Sequence, residues 1–188
     1  MNAALFTGKN KIEFTSIAEP QVQADEIKVR NYAAGVCGTD ISIFKGGAGS
    51  AEVTPPIVLG HEYAGEVVAV GEDVQSIKVG DKVAIDPNIY CQKCYHCRQG
   101  KEHHCENLFA IGVNRNGGFA EYSVVPEKQA FRLSDDVDYE VGAMAEPLAC
   151  CIHGIDLAEI KSGSAVYIIG GGSIGQLMVQ LAKLAGAY

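Results

Sequence analysis

The sequence predicts a mainly β fold, in which an antiparallel barrel carrying a cysteine-rich lobe is followed by the first strand and helix of an incomplete α/β unit. Up to about Leu133, short apolar segments are separated by glycine-containing turns, and no long helical pattern interrupts them. Residues 26–33 form the clearest predicted strand, because Ile27 and Val29 alternate with charged side chains. Further strands are predicted at residues 3–6, 82–85 and 119–125.

The pattern changes after residue 138. Small and apolar residues dominate residues 139–157, which predicts one or two buried helical segments, with Pro147 at the break or in a first turn. Residues 164–169 form an apolar run of the buried-strand type, and apolar residues from Ile174 to Ala185 recur at helical spacing. A strand, a glycine turn and a helix therefore follow one another near the C-terminus.

The composition is that of an ordinary globular protein. The chain has 188 residues, of which 47% are hydrophobic and 20% charged, enough for one domain or slightly more. The formal net charge of -8 disfavours a nucleic-acid partner. Neither a membrane-spanning apolar segment nor a secretory signal pattern is present in the sequence. We therefore expect a soluble, cytoplasmic protein with neither a nucleic-acid nor a membrane partner.

Four of the seven cysteines lie in a polar lobe at residues 88–110. They are spaced C-x2-C-x2-C-x7-C and comprise Cys91, Cys94, Cys97 and Cys105. Thiolates at such spacings satisfy the tetrahedral preference of zinc, and four sulfur ligands leave no open position for substrate, so the predicted role is structural. Disulfides, an iron–sulfur cluster and four unrelated core cysteines are the alternatives. The lack of a secretory signal disfavours disulfides, and the gap before Cys105 departs from the ferredoxin spacing.

A second set of metal-ligand types lies outside this lobe: Cys37, His61, Glu62 and Glu146. A catalytic zinc ion needs three protein ligands and keeps its fourth position open, so one cysteine, one histidine and one carboxylate suffice. Taken singly, each has an ordinary interpretation as a buried thiol, a histidine bonded to the backbone, or a solvated carboxylate. The spacing alone therefore leaves a shared site as a hypothesis.

A glycine pattern of the dinucleotide-binding type, Gly170-x-Gly172-x-x-Gly175, lies between the last predicted strand and helix. In that context the first glycine permits the turn, the second lets the backbone approach a pyrophosphate, and the third allows close helix–strand packing. The N-terminus of the helix, at Ser173 and Ile174, supplies partial positive charge for the same ligand. The alternative is a tight turn in a buried α/β unit.

These motifs, in this order, resemble the zinc-containing medium-chain alcohol/polyol dehydrogenases, and within them the sorbitol, butanediol and threonine branch. The resemblance is carried by Cys37-Gly38-Thr39-Asp40, Gly60-His61-Glu62-x2-Gly65-x5-Gly71, the four-cysteine lobe, Glu146-Pro147-Leu148 and the glycine turn. It implies a GroES-like barrel domain at residues 1–150 and a Rossmann domain that begins at residue 151 and is truncated at residue 188. It also implies oxidation of a secondary alcohol or polyol with NAD or NADP, through a zinc alkoxide and hydride transfer, in a homo-oligomer (dimer or tetramer).

The resemblance implies roles for the ligand-type residues. Cys37 and His61 match the two constant ligands of the catalytic zinc. Glu146 matches the third ligand of the polyol and threonine branch, whereas Glu62 matches a group that either binds the metal or lies just behind it. We prefer Glu146 as the third ligand.

Two further residues match supporting groups of the family. Asp40 corresponds to the carboxylate that accepts a hydrogen bond from the ligand histidine and fixes its orientation. Thr39 corresponds to the hydroxyl through which the proton of the substrate alcohol leaves. The resemblance further implies that zinc acts as a Lewis acid and that the nicotinamide accepts the hydride.

The C-terminal region departs from the family pattern. Residues 164–188 are fewer than one βαβ unit requires, and the acidic residue expected about 20 residues after the glycine turn falls beyond Tyr188. We therefore expect a fragment in which both zinc sites form, dinucleotide binding is severely weakened and turnover is absent. We also expect its apolar strand and helix to pack against another copy.

A non-catalytic zinc-binding module is the main alternative function. A zinc-less quinone reductase relative is disfavoured, because Cys37, His61 and Glu146 occur together.

Residues 35–40 are predicted as a loop and residues 46–50 as flexible surface, because both contain glycines. Ordinary roles are predicted for the other ligand-type side chains, namely solvated His96, His103 and His104, packed or capped His153, and core Cys150 and Cys151.

Overall fold

The computed structural model describes residues 1–48 and 52–188, which divide into two compact units. The first unit spans Met1–Ala143 and the second Met144–Tyr188. Gly49 and Ser50, which belong to the predicted flexible segment, lie outside the described residues. Among the described residues, no helix combines the length and the apolar composition that crossing a membrane requires.

The first unit is built from short antiparallel strands. Within the described ranges these strands are β1 (Asn2–Gly8), β2 (Lys11–Ser16), β3 (Glu26–Gly35), β4 (Ile57–Val58), β5 (Glu62–Val70), β6 (Lys82–Ile85), β7 (Asn88–Ile89), β8 (Phe109–Ala110), β9 (Tyr122–Pro126) and β10 (Ala130–Arg132). They form three sheets with the orders β2-β1-β4, β10-β6-β5-β3-β9 and β7-β8. The prediction of a mainly β, antiparallel fold is confirmed.

The main core of this unit lies against one face of the five-stranded sheet. Ile27 and Val29 on β3 are fully buried, because residues two apart in a strand point to the same side. They share one apolar cluster with Val67 on β5, Val83 on β6 and Val125 on β9. Each such burial contributes about 2 kcal/mol of hydrophobic stabilisation. The paired strands β3 and β5 are therefore a firm support for the side chains at their shared end.

Two short helices also belong to the first unit, α1 (Gly38–Phe44) and α2 (Tyr139–Ala143). The predicted loop at residues 35–40 is wrong in its second half, because α1 begins there. The helix starts at this point because Asp40, at its third position, accepts a hydrogen bond from the Cys37 N–H (2.9 Å). This is the contact that the acidic residue of a capping box makes.

The second unit contains two longer helices that pack against each other, α3 (Ala145–Leu157) and α4 (Ser173–Leu184). Pro147 lies in the first turn of α3, where its missing N–H costs no helical hydrogen bond. Pro147 and Cys151 are buried on one face, but Cys150 is exposed and Leu157 is 72% exposed. The predicted helices at residues 139–157 and the predicted burial of Cys151 are confirmed. The predicted burial of Cys150 is wrong, and that of α3 holds on one side only.

The apolar segment at residues 164–169 is not a strand in the described structure, which corrects the prediction. The Val166 N–H donates to the carbonyl of Tyr188 (3.0 Å), and the Tyr188 N–H donates to the carbonyl of Ser164 (3.0 Å). These two bonds have the pattern of a parallel pair. Because this segment pairs with a single residue, Tyr188, the pairing is too short to form a strand ladder. The side chains of Tyr167 and Ile169 are each 90% exposed.

Candidate metal centres

Cys37, His61 and Glu62 form the first candidate metal centre. The Cys37 Sγ, an imidazole nitrogen of His61 and a carboxylate oxygen of Glu62 all lie within 4.8 Å of one another. The ladder between β3 and β5 brings them together, because Gly35 pairs with Glu62 at its end and Cys37 follows two residues later. A thiolate, an imidazole and a carboxylate are a donor set of the kind found in zinc sites with an open position.

Asp40 connects the two segments that carry these ligands. Its Oδ2 accepts a hydrogen bond from the Cys37 N–H (2.9 Å), and its Oδ1 accepts one from the Gly60 N–H (3.3 Å). The same Oδ1 lies 3.5 Å from Nδ1 of His61. Asp40 is only 3% exposed, so water competes little for these contacts. One carboxylate therefore holds the backbone on both sides of the centre.

The imidazole of His61 is buried, and its Nδ1 has no hydrogen-bond partner among the described residues. At 3.5 Å, its contact with Asp40 is electrostatic rather than a well-formed hydrogen bond. Burial lowers the pKa of His61, but Asp40 and then the Cys37 side chain more than offset this and raise it to about 9. With the Nδ1 proton held toward Asp40, Nε2 is the nitrogen that would give up its proton to bind a metal.

The other two residues predicted for this site, Thr39 and Glu146, belong to different units. Thr39 is half-buried in the first turn of α1. Glu146 lies in the first turn of α3, where its Oε1 accepts a hydrogen bond from the Cys150 thiol (3.7 Å). The proton-relay role of Thr39 and the ligand role of Glu146 stay predictions.

The four cysteines of the lobe form the second candidate centre. The sulfur atoms of Cys91, Cys94, Cys97 and Cys105 all lie within 4.8 Å of one another. The Sγ atoms of Cys91 and Cys97 are 4.0 Å apart, which is a non-bonded distance. The N–H groups of Cys94 and Cys97 point at the sulfur atoms of Cys91 and Cys94, at 3.4 and 3.5 Å. Four thiols gathered in this way are the donor set of a closed zinc site.

The thiols of this cluster differ in acidity. Backbone N–H groups, first that of Lys93 and then that of Cys94, lower the pKa of the Cys91 thiol to about 6. Desolvation, reinforced by the neighbouring thiols, raises the pKa of Cys97 to about 12. Cys91 therefore loses its proton more readily than Cys97, and a nearby cation favours removal of the proton from Cys97. Coordination to a metal ion does this, since a coordinating thiol is deprotonated.

The glycine turn before α4 is a tight turn that two of its glycines make possible. Gly170 has a φ of 107°, in the region that favours glycine. A Cβ on Gly175 would overlap the carbonyl of Gly170, so the third glycine permits the close packing there. A Cβ on Gly172 would meet no atom within 4 Å. Ser173 and Ile174 open the helix, where N–H groups lack helical partners. Their role toward a cofactor stays a prediction.

The three histidines of the lobe lie outside the four-thiol cluster. His103 and His104 are exposed and His96 is half-buried, which agrees with their predicted solvated role. Their rings contact one another, with centroids 4.2 Å apart for His103 and His104 and 5.7 Å for His96 and His104. His153, on α3, is also exposed.

Sequence reasoning missed one residue beside the first centre, Gly35. The sequence pattern predicts Gly35 in a loop, but in the structure it ends β3 and lies directly opposite Glu62. The signal was available: a glycine at the end of a β pattern, two residues before a ligand-type cysteine. Glycine inside a strand often marks a place where another group approaches closely.

Comparison with known families gives a match over most of the first unit. Residues 23–135 match the family model described as the alcohol dehydrogenase GroES-like domain. The matched region includes Cys37, His61, Glu62 and the whole four-cysteine lobe. It exceeds half of the 188 residues.

The chain is also similar to individual dehydrogenases. L-threonine 3-dehydrogenase of Idiomarina loihiensis is 38% identical over 180 residues, which are 95% of this chain and 52% of that protein. A solved structure from Sinorhizobium meliloti, described as a zinc-binding dehydrogenase and bound to NADP, is 46% identical with a TM-score of 0.94, and the match covers 99% of this chain and 54% of that one. The 2R,3R-butanediol dehydrogenase of Bacillus subtilis is 34% identical with a TM-score of 0.90, over 99% and 55% of the two chains. The chain spans about half the length of the relatives it matches.

Proposed function

Because the chain belongs to the alcohol dehydrogenase GroES-like domain family, we propose that it is the catalytic portion of a zinc-dependent NAD(P) oxidoreductase that oxidises a secondary alcohol or polyol. The observation that carries this proposal is the convergence of Cys37, His61 and Glu62 within 4.8 Å. The relatives support the substrate class, since L-threonine and 2R,3R-butanediol, named for two of them, each carry a secondary hydroxyl group.

The donor set of the first centre fits a catalytic zinc ion. Cys37 and His61 would hold it, together with Glu146 as the preferred third ligand and Glu62 as an exchangeable one. A zinc ion bound there supplies Lewis-acid polarisation of the alcohol oxygen. Cys37 and Glu62 are half-buried, so the centre is not sealed from solvent.

The residues around this centre then have distinct tasks. Asp40 fixes the Cys37 backbone and keeps the Nδ1 proton of His61, so that Nε2 is the nitrogen left to bind the metal. The Thr39 hydroxyl accepts the proton that the alcohol loses and passes it toward solvent. A bound nicotinamide would supply the acceptor for the hydride of the carbinol carbon, which is the chemistry of the cofactor rather than of a side chain.

The second centre has a structural task in this proposal. Four cysteines close the coordination shell, so nothing is left for substrate. The lobe between β7 and β8 has few buried side chains of its own, chiefly Cys94 and Cys97. A structural zinc ion would supply the stability that this segment cannot obtain from apolar packing.

The cofactor and assembly complete the proposal. We assign residues 1–150 to a GroES-like catalytic domain and residues 151–188 to the start of an NAD(P)-binding domain. Gly170, Gly172 and Gly175, with Ser173 and Ile174, would bind the pyrophosphate of NAD or NADP. The NADP bound to the Sinorhizobium meliloti relative supports this class of cofactor. We further propose a cytoplasmic homo-oligomer.

Metal analysis of purified variants tests the proposal. We expect close to two zinc ions per chain, with one lost in Cys37→Ala and the other lost in Cys94→Ala. His104→Ala, an exposed histidine beside the cysteine cluster, is the matched control and should lose none. Circular dichroism of each variant separates loss of a ligand from loss of the fold.

The same measurement decides the second candidate function, a non-catalytic zinc-binding module. The four-cysteine cluster favours this candidate, because its ligands are separate from those of the first centre. A single zinc ion that disappears only in Cys94→Ala would support it and would contradict the dehydrogenase proposal.

A further inference from the structure

Gly35 occupies the position of β3 that faces Glu62. The two are direct partners in the antiparallel ladder, immediately beside the chain positions of Cys37 and His61. We propose that Gly35 is a positioning residue of the first metal centre: because it has no side chain, the Glu62 carboxylate lies across the strand beside the other two ligands. This inference rests on the proposed function, since it concerns the same centre.

The space of a side chain at position 35 is already filled by Glu62. A Cβ built on Gly35 would overlap Oε2 of Glu62 and would lie 3.2 Å from its Cβ and 3.5 Å from its Cδ. The same carboxylate has an oxygen within 4.8 Å of the ligand atoms of Cys37 and His61. The space that glycine leaves empty is therefore the space from which Glu62 reaches the centre.

Backbone conformation gives no other reason for a glycine here. Gly35 is not among the described glycines with a φ in the left-handed region, so an alanine fits the same backbone. Glycine within a strand is unfavourable relative to alanine, because it loses more conformational freedom on folding. A glycine at this position is thus explained by the room it gives to Glu62.

A methyl group at position 35 would displace mainly the Glu62 carboxylate. The overlapping atom is the far end of a flexible side chain, which can rotate away. The 3.2 Å contact with the Glu62 Cβ needs only a shift of a few tenths of an ångström between β3 and β5. Rotation of the side chain moves the Glu62 carboxylate away from the ligand atoms of Cys37 and His61. Groups that support a metal site in this way typically change metal affinity about 10- to 100-fold when they are altered.

Zinc affinity in a double-mutant cycle tests the inference. The dissociation constant of the Cys37-dependent zinc ion is measured by competition with a chromophoric chelator in wild type, Gly35→Ala, Glu62→Ala and the double variant. We expect Gly35→Ala to raise the constant about tenfold or more, but to change it less than about twofold when Glu62 is already alanine. Gly38→Ala is the matched control, because a Cβ there meets no atom within 4 Å.

Two results overturn the inference while leaving the proposed function intact. One is zinc binding by Gly35→Ala as tight as that of wild type, and the other is the same loss in both Glu62 backgrounds. If wild type holds no Cys37-dependent zinc, the proposed function fails instead. Crystal structures of the metal-free wild type and Gly35→Ala then decide the inference: it holds if the Glu62 carboxylate moves away in the variant, and it falls if the carboxylate keeps its place.

Discussion

Asp40 is the residue through which the parts of the first metal centre are held together. It bonds to the N–H groups of Cys37 and Gly60 and faces the imidazole of His61. A carboxylate that accepts bonds at both oxygens in a buried place is difficult to replace, since a donor loses its partner when one acceptor oxygen is removed. The position of the Asp40 side chain therefore determines where the candidate ligands Cys37 and His61 lie.

The variant Asp40→Asn tests this role. We expect its zinc affinity at the Cys37 site to fall about 10- to 100-fold, because an amide offers one acceptor oxygen where the carboxylate offers two. Chelator competition measures the affinity. Asp136→Asn, at an exposed aspartate in the first unit, is the control. Unchanged zinc binding in Asp40→Asn would contradict the role.

Single residues differed in how well the sequence identified them. Cys37 and His61 were found because their side-chain types are specific for metals and their neighbours matched a known pattern. Gly35 carries no such chemistry, and its task depends on which residue the β5 strand places opposite it. That register is a property of the folded sheet, so the sequence alone did not supply it.

Among the elements, the strands were the most predictable and α1 the least. The alternating residues 26–33 lie in β3 (Glu26–Gly35), as predicted. A pattern with one apolar face specifies which side of the strand is buried. The helix α1 was missed since cysteine is an uncommon residue at a helix N-cap, where serine, threonine, aspartate or asparagine is the usual signal. The segment at residues 164–169 was predicted as a strand from its apolar side chains, but a strand also needs a partner along its length.

Glu127 illustrates how a side chain joins separate elements. It follows β9, and its Oε1 accepts hydrogen bonds from the backbone N–H groups of Gln75, Ser76 and Ile77 and from the Ser76 hydroxyl. These donors, first the Ser76 N–H, lower the pKa of Glu127 below its ordinary value of 4.5. The carboxylate therefore stabilises the fold above about pH 4.5, and this contribution is lost as the pH falls through the lowered pKa.

The variant Glu127→Gln should show this dependence. We expect the free energy of unfolding to fall by about 1 kcal/mol at neutral pH, allowing for the partial exposure of the site. The difference from wild type should shrink as the pH falls below about 4.5, because the unfolded chain takes up a proton there before the folded carboxylate, whose pKa is lower, does. Urea unfolding across this pH range measures it, with exposed Glu72→Gln as the control. A difference that does not change with pH would contradict the assignment.

The molecule as a whole combines a first unit with an extensive core and a second unit of two helices and a glycine turn. The mainly β class, the cysteine-rich lobe and the family were all evident from the sequence, because the relevant residues have characteristic spacings. The exposure of α3 was not, since an apolar pattern does not state what covers it. Leu157, Tyr167 and Ile169 are apolar yet largely exposed.

Residues 1–188 in isolation should bind dinucleotide weakly. The described second unit offers the glycine turn and the N-terminus of α4, without a sheet to fix the turn against the cofactor. We expect no saturation by NADPH or NADH below the millimolar range in fluorescence titration. Gly172→Val, which fills the position where a pyrophosphate would approach, is the control for specific binding. Micromolar binding that Gly172→Val abolishes would contradict this expectation.

The pairing of Tyr188 with residues 164–166 also bears on how the protein behaves in concentrated solution. It commits the backbone around Ser164 and Val166 to a parallel neighbour, while Tyr167 and Ile169 present bulky side chains to water. An extended segment of this kind, with exposed apolar side chains, is a place where a further strand can pair. We therefore expect any self-association of these residues to begin at this segment rather than at the metal centres.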